Sequence, residues 1–226
     1  MTYYDAVKSA FGCFPLDPPR DLVVGDYVRI TWGGKVHHRG SLAKLLGIEI
    51  EFDEHASDIE YMSNSVSKAE LGGSAPLGAE AKISFSSTPG LYLKGSRRVR
   101  RARNLDAVFG ALSRAQVDWS FRNRIVIETH FVDGAELYCS GGTRADLKAT
   151  YGPNGAVVSI DAGAALEHRH LLHMPNVTGT IAFSPVRLVF GFALPASARD
   201  PAGYAVREMD VNDPDEYEPG VTEDVR

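Results

Sequence analysis

Three histidines and a glutamate lie close together near the C-terminal third of the chain. On a helix, His170 and His173 would share a face with Glu167, a spacing that is able to hold a divalent metal ion. On a strand, His168 and His170 would share a face instead. Exposed histidines near the end of a helix are the alternative interpretation, because a cationic side chain is favourable there. We predict that the protein has no cofactor and no metal site. A metal-dependent enzyme that uses His168, His170 and His173 stays as an alternative.

The chain has two cysteines, Cys13 and Cys139, too few for a disulfide framework and not at the spacing of a usual zinc site. Cys139 lies in an apolar segment and is expected in the core. Cys13 lies on a short N-terminal segment between two phenylalanines and, if exposed, is a candidate for acylation or oxidation. The alternative is an ordinary buried thiol, because free cysteine is usually buried.

Residues 94–103 contain six cations and no acid, and we call them the arginine segment. Its arginines are the candidate lipid-binding residues, namely Arg97, Arg98, Arg100, Arg101 and Arg103. A planar guanidinium suits phosphate groups, which lipid headgroups and nucleic acids both carry. The chain as a whole has a net charge of -5 and no recognition module, so we predict an anionic lipid membrane and no nucleic acid as the partner. The alternative is a solvated strand whose charges meet acids elsewhere in the fold.

The last 28 residues, 199–226, hold nine acids and three bases, a net charge of -6. Because the whole chain carries -5, the remainder carries +1. A polyanionic tail competes with other anions for a basic segment, which suggests a masked cationic surface. The alternative is a solvated, disordered end.

The sequence has no phosphate-cradling glycine-rich motif, nucleophile elbow or zincin helix motif. Its N-terminus lacks the basic start and long apolar run of a secretory signal, and no stretch reaches the roughly 20 apolar residues of a spanning helix. We therefore expect a cytosolic protein with free thiols. Any membrane role must come from surface binding or from strands that rearrange.

The residue pattern predicts the elements that position these groups. Helical segments are expected at 2–11, 41–47 and 105–114. Strands are expected at 22–32, 35–38, 48–52, 81–86, 91–94, 124–132, 135–140, 145–150, 156–160 and 180–194. Residues 53–78 are weakly apolar and predict a long mobile loop.

Turn residues connect these strands. Gly33-Gly34 and Thr88-Pro89-Gly90 predict hairpins, and Asp133-Gly134 predicts a turn within an antiparallel meander over 124–160. In 124–132 only one face is plainly apolar, and the last strand is expected to be central and broken near Pro185. We predict an α+β fold, a single domain with a large, mostly antiparallel twisted sheet, a few short helices and a short C-terminal tail.

The order and texture of these segments resemble a bacterial gasdermin over about half of the chain. The similar segments are Gly25–Ile30 leading through Gly33-Gly34 to Gly40–Leu42, the strand and arginines at 82–103, Arg124–Thr129 followed by Leu137–Ser140 and Ala145–Ala149, and Leu188–Leu194 before the tail.

The resemblance implies a cell-death effector of antiphage defence with no catalytic activity of its own. It implies a pore-forming domain at 1–196 and an inhibitory C-terminal tail at 197–226, which a partner protease removes. The protein would be a cytoplasmic monomer before cleavage and a homo-oligomer in the inner membrane afterwards, with transmembrane β-strands around 81–94 and 124–150. Members of the family often carry a palmitoylated cysteine within the first few residues, whereas the first cysteine here is Cys13. A non-enzymatic binding module is the remaining alternative.

Overall fold

Short helices and long antiparallel strands make up the computed structural model of the chain. It describes residues 3–31, 34–75, 78–88, 90–115, 119–120, 122–142, 144–151, 157–161, 171–190 and 204–208. The helices among them are α1 (Tyr3–Phe11), α2 (Leu42–Leu46) and α3 (Leu105–Arg114). All three agree with the helices predicted from the sequence.

Several strands are longer than the sequence pattern predicts, whereas the strand predicted at 22–32 is shorter. The first six are β1 (Phe14–Arg20), β2 (Asp26–Ile30), β3 (Val36–Ser41), β4 (Phe52–Met62), β5 (Val66–Ala75) and β6 (Gly78–Phe85). The remaining six are β7 (Gly90–Ala102), β8 (Arg124–Ser140), β9 (Ala145–Tyr151), β10 (Val157–Asp161), β11 (Leu171–Phe190) and β12 (Tyr204–Glu208).

These strands form two sheets. The eight-stranded sheet has the order β1-β11-β8-β2-β3, with β12 paired to β11, β7 paired to β8, and β4 paired to β7. The four-stranded sheet has the order β10-β9-β6-β5, and its pairings are antiparallel. An α+β fold with a mostly antiparallel sheet is therefore confirmed, and β11 is central as predicted.

The chain divides into two compact units. The first comprises Met1–Phe11, Ser57–Arg97 and Val132–Thr178, and the second comprises Gly12–Ala56, Arg98–Phe131 and Gly179–Arg226. The core of the first unit gathers apolar residues of the four-stranded sheet around two buried tyrosines, Tyr92 and Tyr138.

The second unit has a buried cluster on each face of β8. On one face, Ile125 and Ile127 pack with Phe109 of α3 and Leu42 of α2. On the other face, Val126 belongs to a cluster with residues of β1, β2 and β11. The alternation predicted for 124–132 is correct, but the prediction of a single apolar face is wrong, because neighbouring elements cover both sides.

The apolar residues of α3 repeat at helical intervals, and Val108, Phe109 and Leu112 are buried on one side of the helix. Asn104 precedes the helix as predicted but does not cap it with its side chain. Its Oδ1 instead accepts a hydrogen bond from the backbone of Glu51 at 3.0 Å, and its Nδ2 donates to the carbonyl of Glu49 at 3.1 Å. Asn104 thus fixes the chain just before β4.

The predicted loop at 53–78 is wrong, because most of β4 and all of β5 lie within it. Strand β4 is polar, and cross-strand charge pairs replace the apolar alternation that marks most strands. Glu60 of β4 lies 3.0 Å from Lys68 and 3.9 Å from Lys94. The strand predicted at 48–52 is also wrong, since β4 begins only at Phe52 and Ile48 and Ile50 pack against the cluster that contains α3.

Two predicted turns are wrong as well. Strands β6 and β7 lie in different sheets, so they do not form the hairpin expected around residue 89. Strand β8 continues through Asp133-Gly134, where Gly134 has a φ of 58° and its N–H donates to Thr178 Oγ1 at 3.0 Å. The strand thus accommodates Gly134 at a positive φ, because the Thr178 hydroxyl accepts a hydrogen bond from its N–H. Strand β11 likewise continues through Pro185, which lies between the residues paired with β1 and those paired with β12.

Gly95 of β7 is expected to be indispensable for close strand packing. A Cβ at this position would lie 2.7 Å from Cα and Cβ of Ala135, so Gly95→Ala should lower the free energy of unfolding by about 1–3 kcal/mol. Gly110 of α3 is the matched control, because its Cβ would meet only the flexible end of Arg114 at 3.3 Å. Gly110→Ala should be neutral or stabilising by up to about 1 kcal/mol. Urea denaturation measures both, and an equal effect of the two substitutions would contradict this packing.

Candidate functional site

The arginine segment forms the second half of β7 and the residues after it. Alternate side chains of a strand point to opposite faces, so the cations do not share one surface. Arg98 and Arg100 lie on one side of the strand, and Arg101 lies on the other. Arg103 follows the strand, and Arg97 is half-buried, with no hydrogen-bond partner for its Nε among the described residues.

Arg98 and Arg100 each lie over an aromatic ring. The guanidinium carbon of Arg98 is 4.5 Å from the ring centre of Phe131, and that of Arg100 is 5.0 Å from the ring centre of Phe52. Both distances are within the range of cation–π attraction. Arg100 also pairs with Glu54. A cleft of about 130 Å³ in the second unit is lined by Asp21, Leu22, Val23, Arg98, Arg100, Thr129, Phe131 and Thr180.

Arg101 and Arg103 of the arginine segment pair with acids near the surface. Arg103 lies 3.3 Å from Glu51 and 3.2 Å from Asp53, and Arg101 lies 3.7 Å from Glu128. The hydrogen bond to Glu51 and the charge of Asp53 raise the pKa of Arg103 further above its usual range. The side chains of Arg101 and Arg103 remain 68% and 61% exposed, so a phosphate group can reach them and share or replace the carboxylates.

Cys13 is buried in the second unit, so it does not meet the condition of exposure that acylation required. Its Sγ lies 3.3 Å from Ser184 Oγ and 3.7 Å from His130 Nε2. His130 Nε2 in turn lies 2.9 Å from Glu128 Oε1. A buried polar cluster therefore connects the N-terminal segment to β8 and β11.

His130 is held in its charged form by this cluster. Burial by itself lowers the pKa of an imidazole, but the contacts with Cys13 and Glu128 outweigh it and raise the pKa of His130 to about 9. Both partners meet the same ring nitrogen. A nucleophile–base–acid relay instead uses one ring nitrogen for the nucleophile and the other for the acid, so the geometry is not that of a relay.

The histidine cluster at 167–173 lies mostly outside the described residues, including His168 and His170. His173 lies in β11, where its Nε2 is 2.7 Å from Glu136 Oε2. Its ring stacks on Tyr138 with the centres 4.2 Å apart and the planes 6° from parallel. These contacts give His173 a place in the packing of the first unit.

Part of the C-terminal tail forms a strand, which the sequence analysis missed. Strand β12 pairs antiparallel with β11 over five consecutive residue pairs, from Val186–Glu208 to Phe190–Tyr204. The available signal was the run Tyr204-Ala205-Val206, because Tyr and Val favour strands, but the surrounding acids masked it. The rest of the tail lies outside the described residues.

Arg101 and Arg103 should be replaceable without loss of the fold. Exposed ion pairs contribute little because water and salt screen them, so Arg101→Gln and Arg103→Gln should each lower the melting temperature by no more than a few degrees. Circular dichroism during heating measures this. A large loss of thermal stability in either variant would mean that the arginine is structural.

Among the described residues, none of the helices is both long and apolar enough to cross a membrane.

No protein-family profile and no curated protein matches the chain. Chains of solved structures do align with it, and two gasdermins are among them. A bacterial gasdermin from Bradyrhizobium tropiciagri is 11% identical with a TM-score of 0.38, and the alignment covers 88% of this chain and 86% of the other. The Gasdermin A3 membrane pore is 11% identical with a TM-score of 0.33, and the alignment covers 81% of this chain and 88% of the other. Both are gasdermins, the family that the sequence resembles. Both TM-scores lie below 0.5.

Proposed function

We propose that this protein permeabilises membranes and is held inactive by its C-terminal tail until a protease removes the tail. The observation that carries the proposal is the pairing of β12, which belongs to the tail, with Val186–Phe190 of β11. A tail that adds a strand to the sheet is attached by main-chain hydrogen bonds and can be detached by one cut in the preceding segment.

Loss of β12 leaves main-chain groups of Val186–Phe190 without their partners. A strand with unpaired N–H and C=O groups is a template for pairing with another chain. A second copy of the released domain can supply that strand. The same event thus ends inhibition and starts assembly of the monomer into a homo-oligomer.

Attraction between the acidic tail and the arginine segment also favours inhibition by the tail. The tail carries a net charge of -6, and the arginine segment carries six cations. While the tail is present, its acids compete with other anions for the basic surface. Once it is removed, Arg101 and Arg103 are exposed cations that can bind the phosphates of anionic lipids, such as those of a bacterial inner membrane.

Strands β7 and β8 have the length that a pore requires. They contain 13 and 17 residues, whereas a tilted strand crosses a bilayer with about 9 to 11. We propose that the strands around 81–94 and 124–150 supply the membrane-crossing hairpins. In the present structure β6 and β7, and likewise β8 and β9, are in different sheets, so insertion requires that these strands find new partners. Ile125 and Ile127 must also leave α3 to meet lipid.

The proposed setting is cell death in antiphage defence, which is what the resemblance implies. The protein would act without catalysis, starting as a monomer in the cytoplasm and ending in the inner membrane. The activating protease is the partner that the proposal requires.

Deletion of residues 197–226 should convert a tolerated protein into a toxic one. The deletion removes both β12 and the excess of acids, so growth and membrane potential should collapse on expression, and dye should leak from anionic liposomes. Two full-length variants separate the causes. Proline at both Ala205 and Val206 breaks the ladder and keeps the charge. Amides in place of the tail acids after residue 208 keep the ladder and remove most of the charge.

If strand pairing is what inhibits the protein, the proline variant should cause dye leakage and the amide variant should stay inert. The reverse result would mean that charge alone inhibits. Harmlessness of the deletion protein at expression matched to the full chain would refute the proposed function.

Lipid binding by the released domain should depend on the arginine segment. Replacing Arg97, Arg98, Arg100, Arg101 and Arg103 with Gln in the protein of residues 1–196 should weaken binding to vesicles that contain phosphatidylglycerol by about fivefold per charge that contacts the surface. Binding by the parent should also weaken as salt is added.

The matched control is Lys35→Gln with Lys44→Gln, which removes two exposed cations that lie outside both the arginine segment and the proposed hairpins. Cosedimentation measures binding of each variant. Salt-independent binding that survives the arginine changes would show that the segment is structural.

A further inference from the structure

The buried cluster at the N-terminal end of β1 has the composition and geometry of a metal site. We propose that Cys13, Glu128 and His130 bind a zinc ion, with the Cys13 sulfur, one Glu128 oxygen and His130 Nε2 as ligands. All three residues belong to the second unit. Their potential ligand atoms lie within 4.8 Å of one another.

The distance between the Cys13 sulfur and His130 Nε2 fits a tetrahedral zinc ion. Zinc–sulfur and zinc–nitrogen bonds of about 2.3 and 2.05 Å at a tetrahedral angle place sulfur and nitrogen about 3.6 Å apart. The Cys13 Sγ to His130 Nε2 distance is 3.7 Å. The corresponding nitrogen–oxygen separation is about 3.4 Å, and the observed distance from His130 Nε2 to Glu128 Oε1 is 2.9 Å. The Glu128 carboxylate would therefore have to move about half an ångström away from His130 Nε2 when an ion binds.

The direction of the contacts also favours a metal. Cys13 and Glu128 both approach Nε2 of His130 and leave Nδ1 outside the contact. Convergence of three donor types on one point is what a metal ion requires, whereas a catalytic relay distributes its members along a line.

The types of ligand favour zinc over magnesium and calcium. A thiolate and an imidazole suit zinc, while magnesium and calcium prefer sites made of oxygen atoms. The thiolate and the carboxylate together carry two negative charges, which balance those of the ion. On binding, the proton of the Cys13 thiol and the proton on His130 Nε2 pass to solvent. Ser184 Oγ lies 3.3 Å from the sulfur, and this hydroxyl or a water molecule would supply the fourth ligand.

A metal ion can reach the site from the side of Glu128. Cys13 and His130 are buried, but the side chain of Glu128 is 21% exposed. Arg101 lies 3.7 Å from the second carboxylate oxygen, Oε2, and leaves Oε1 directed at His130. Since Arg101 is mostly exposed, it can move aside when an ion enters. Cys13 lies in the N-terminal segment and His130 lies in β8, and the two are 117 residues apart in sequence. An ion bound to both would therefore link these two parts of the chain.

Cobalt titration of the full-length, tag-free protein tests the site after treatment with a chelator. Cobalt replaces zinc, and it gives a sulfur-to-cobalt charge-transfer band in the near ultraviolet only when a thiolate is bound to it. The parent should show this band with one equivalent of cobalt and lose it when zinc is added. Cys13→Ser should abolish the band, and Glu128→Gln should weaken zinc binding at least tenfold, as measured by calorimetry.

Cys139→Ser is the matched control, because it removes the other buried thiol and should leave the band unchanged. Replacement of His168, His170 and His173 with Gln should also leave it unchanged. If Cys13→Ser fails to fold by circular dichroism, Glu128→Gln decides the question, since it retains the shape of the side chain and weakens only the ligand. Absence of the band in the folded parent, its persistence in folded Cys13→Ser, or full zinc affinity in Glu128→Gln would overturn the proposal.

Discussion

Main-chain hydrogen bonding along β11 is the constraint on which the proposed control of this protein depends. β11 lies between β1 and β8 in the eight-stranded sheet, and β12 pairs with its last five residues. Buried or exposed, a strand needs partners for its N–H and C=O groups, and an unpaired edge invites another chain. The tail satisfies this need in the intact chain. Proteolysis would transfer it to a second copy, so inhibition and assembly become two outcomes of one set of hydrogen bonds.

Charge pairing holds the polar part of the sheet in place without fixing it permanently. Residues 51–54 bring acids to Arg100 and Arg103, and Glu128 meets Arg101. Such pairs near the surface are weak and sensitive to salt. They can therefore neutralise the charge of the arginines in the resting protein. The arginines can still exchange these carboxylates for lipid phosphates. The buried clusters on both faces of β8 are the stronger barrier, because insertion must uncover Ile125 and Ile127.

The sequence pattern correctly predicted the elements that depend on the spacing of residues close together in the chain. Helix α3 agrees with its prediction because its apolar residues repeat at helical intervals, and α2 agrees because Gly47 ends it with a φ of 64°. Strand β4 was missed because its partners are charges far away in sequence. The turn predicted at Asp133-Gly134 was wrong because Thr178 supplies an acceptor that no local pattern reveals. The contact between Cys13 and His130 was equally hidden, since it joins residues 117 apart.

The central claim is that β12 protects the edge of β11 in the intact protein. Amide hydrogen exchange over Val186–Phe190 tests it most directly, with the intact protein compared with the protein of residues 1–196 as a dilute monomer without lipid. The account predicts that the amides bonded to β12 exchange slowly in the intact protein and rapidly after the tail is removed, while Val126 in the core stays protected in both. Equal protection of Val186–Phe190 in the two proteins would contradict it.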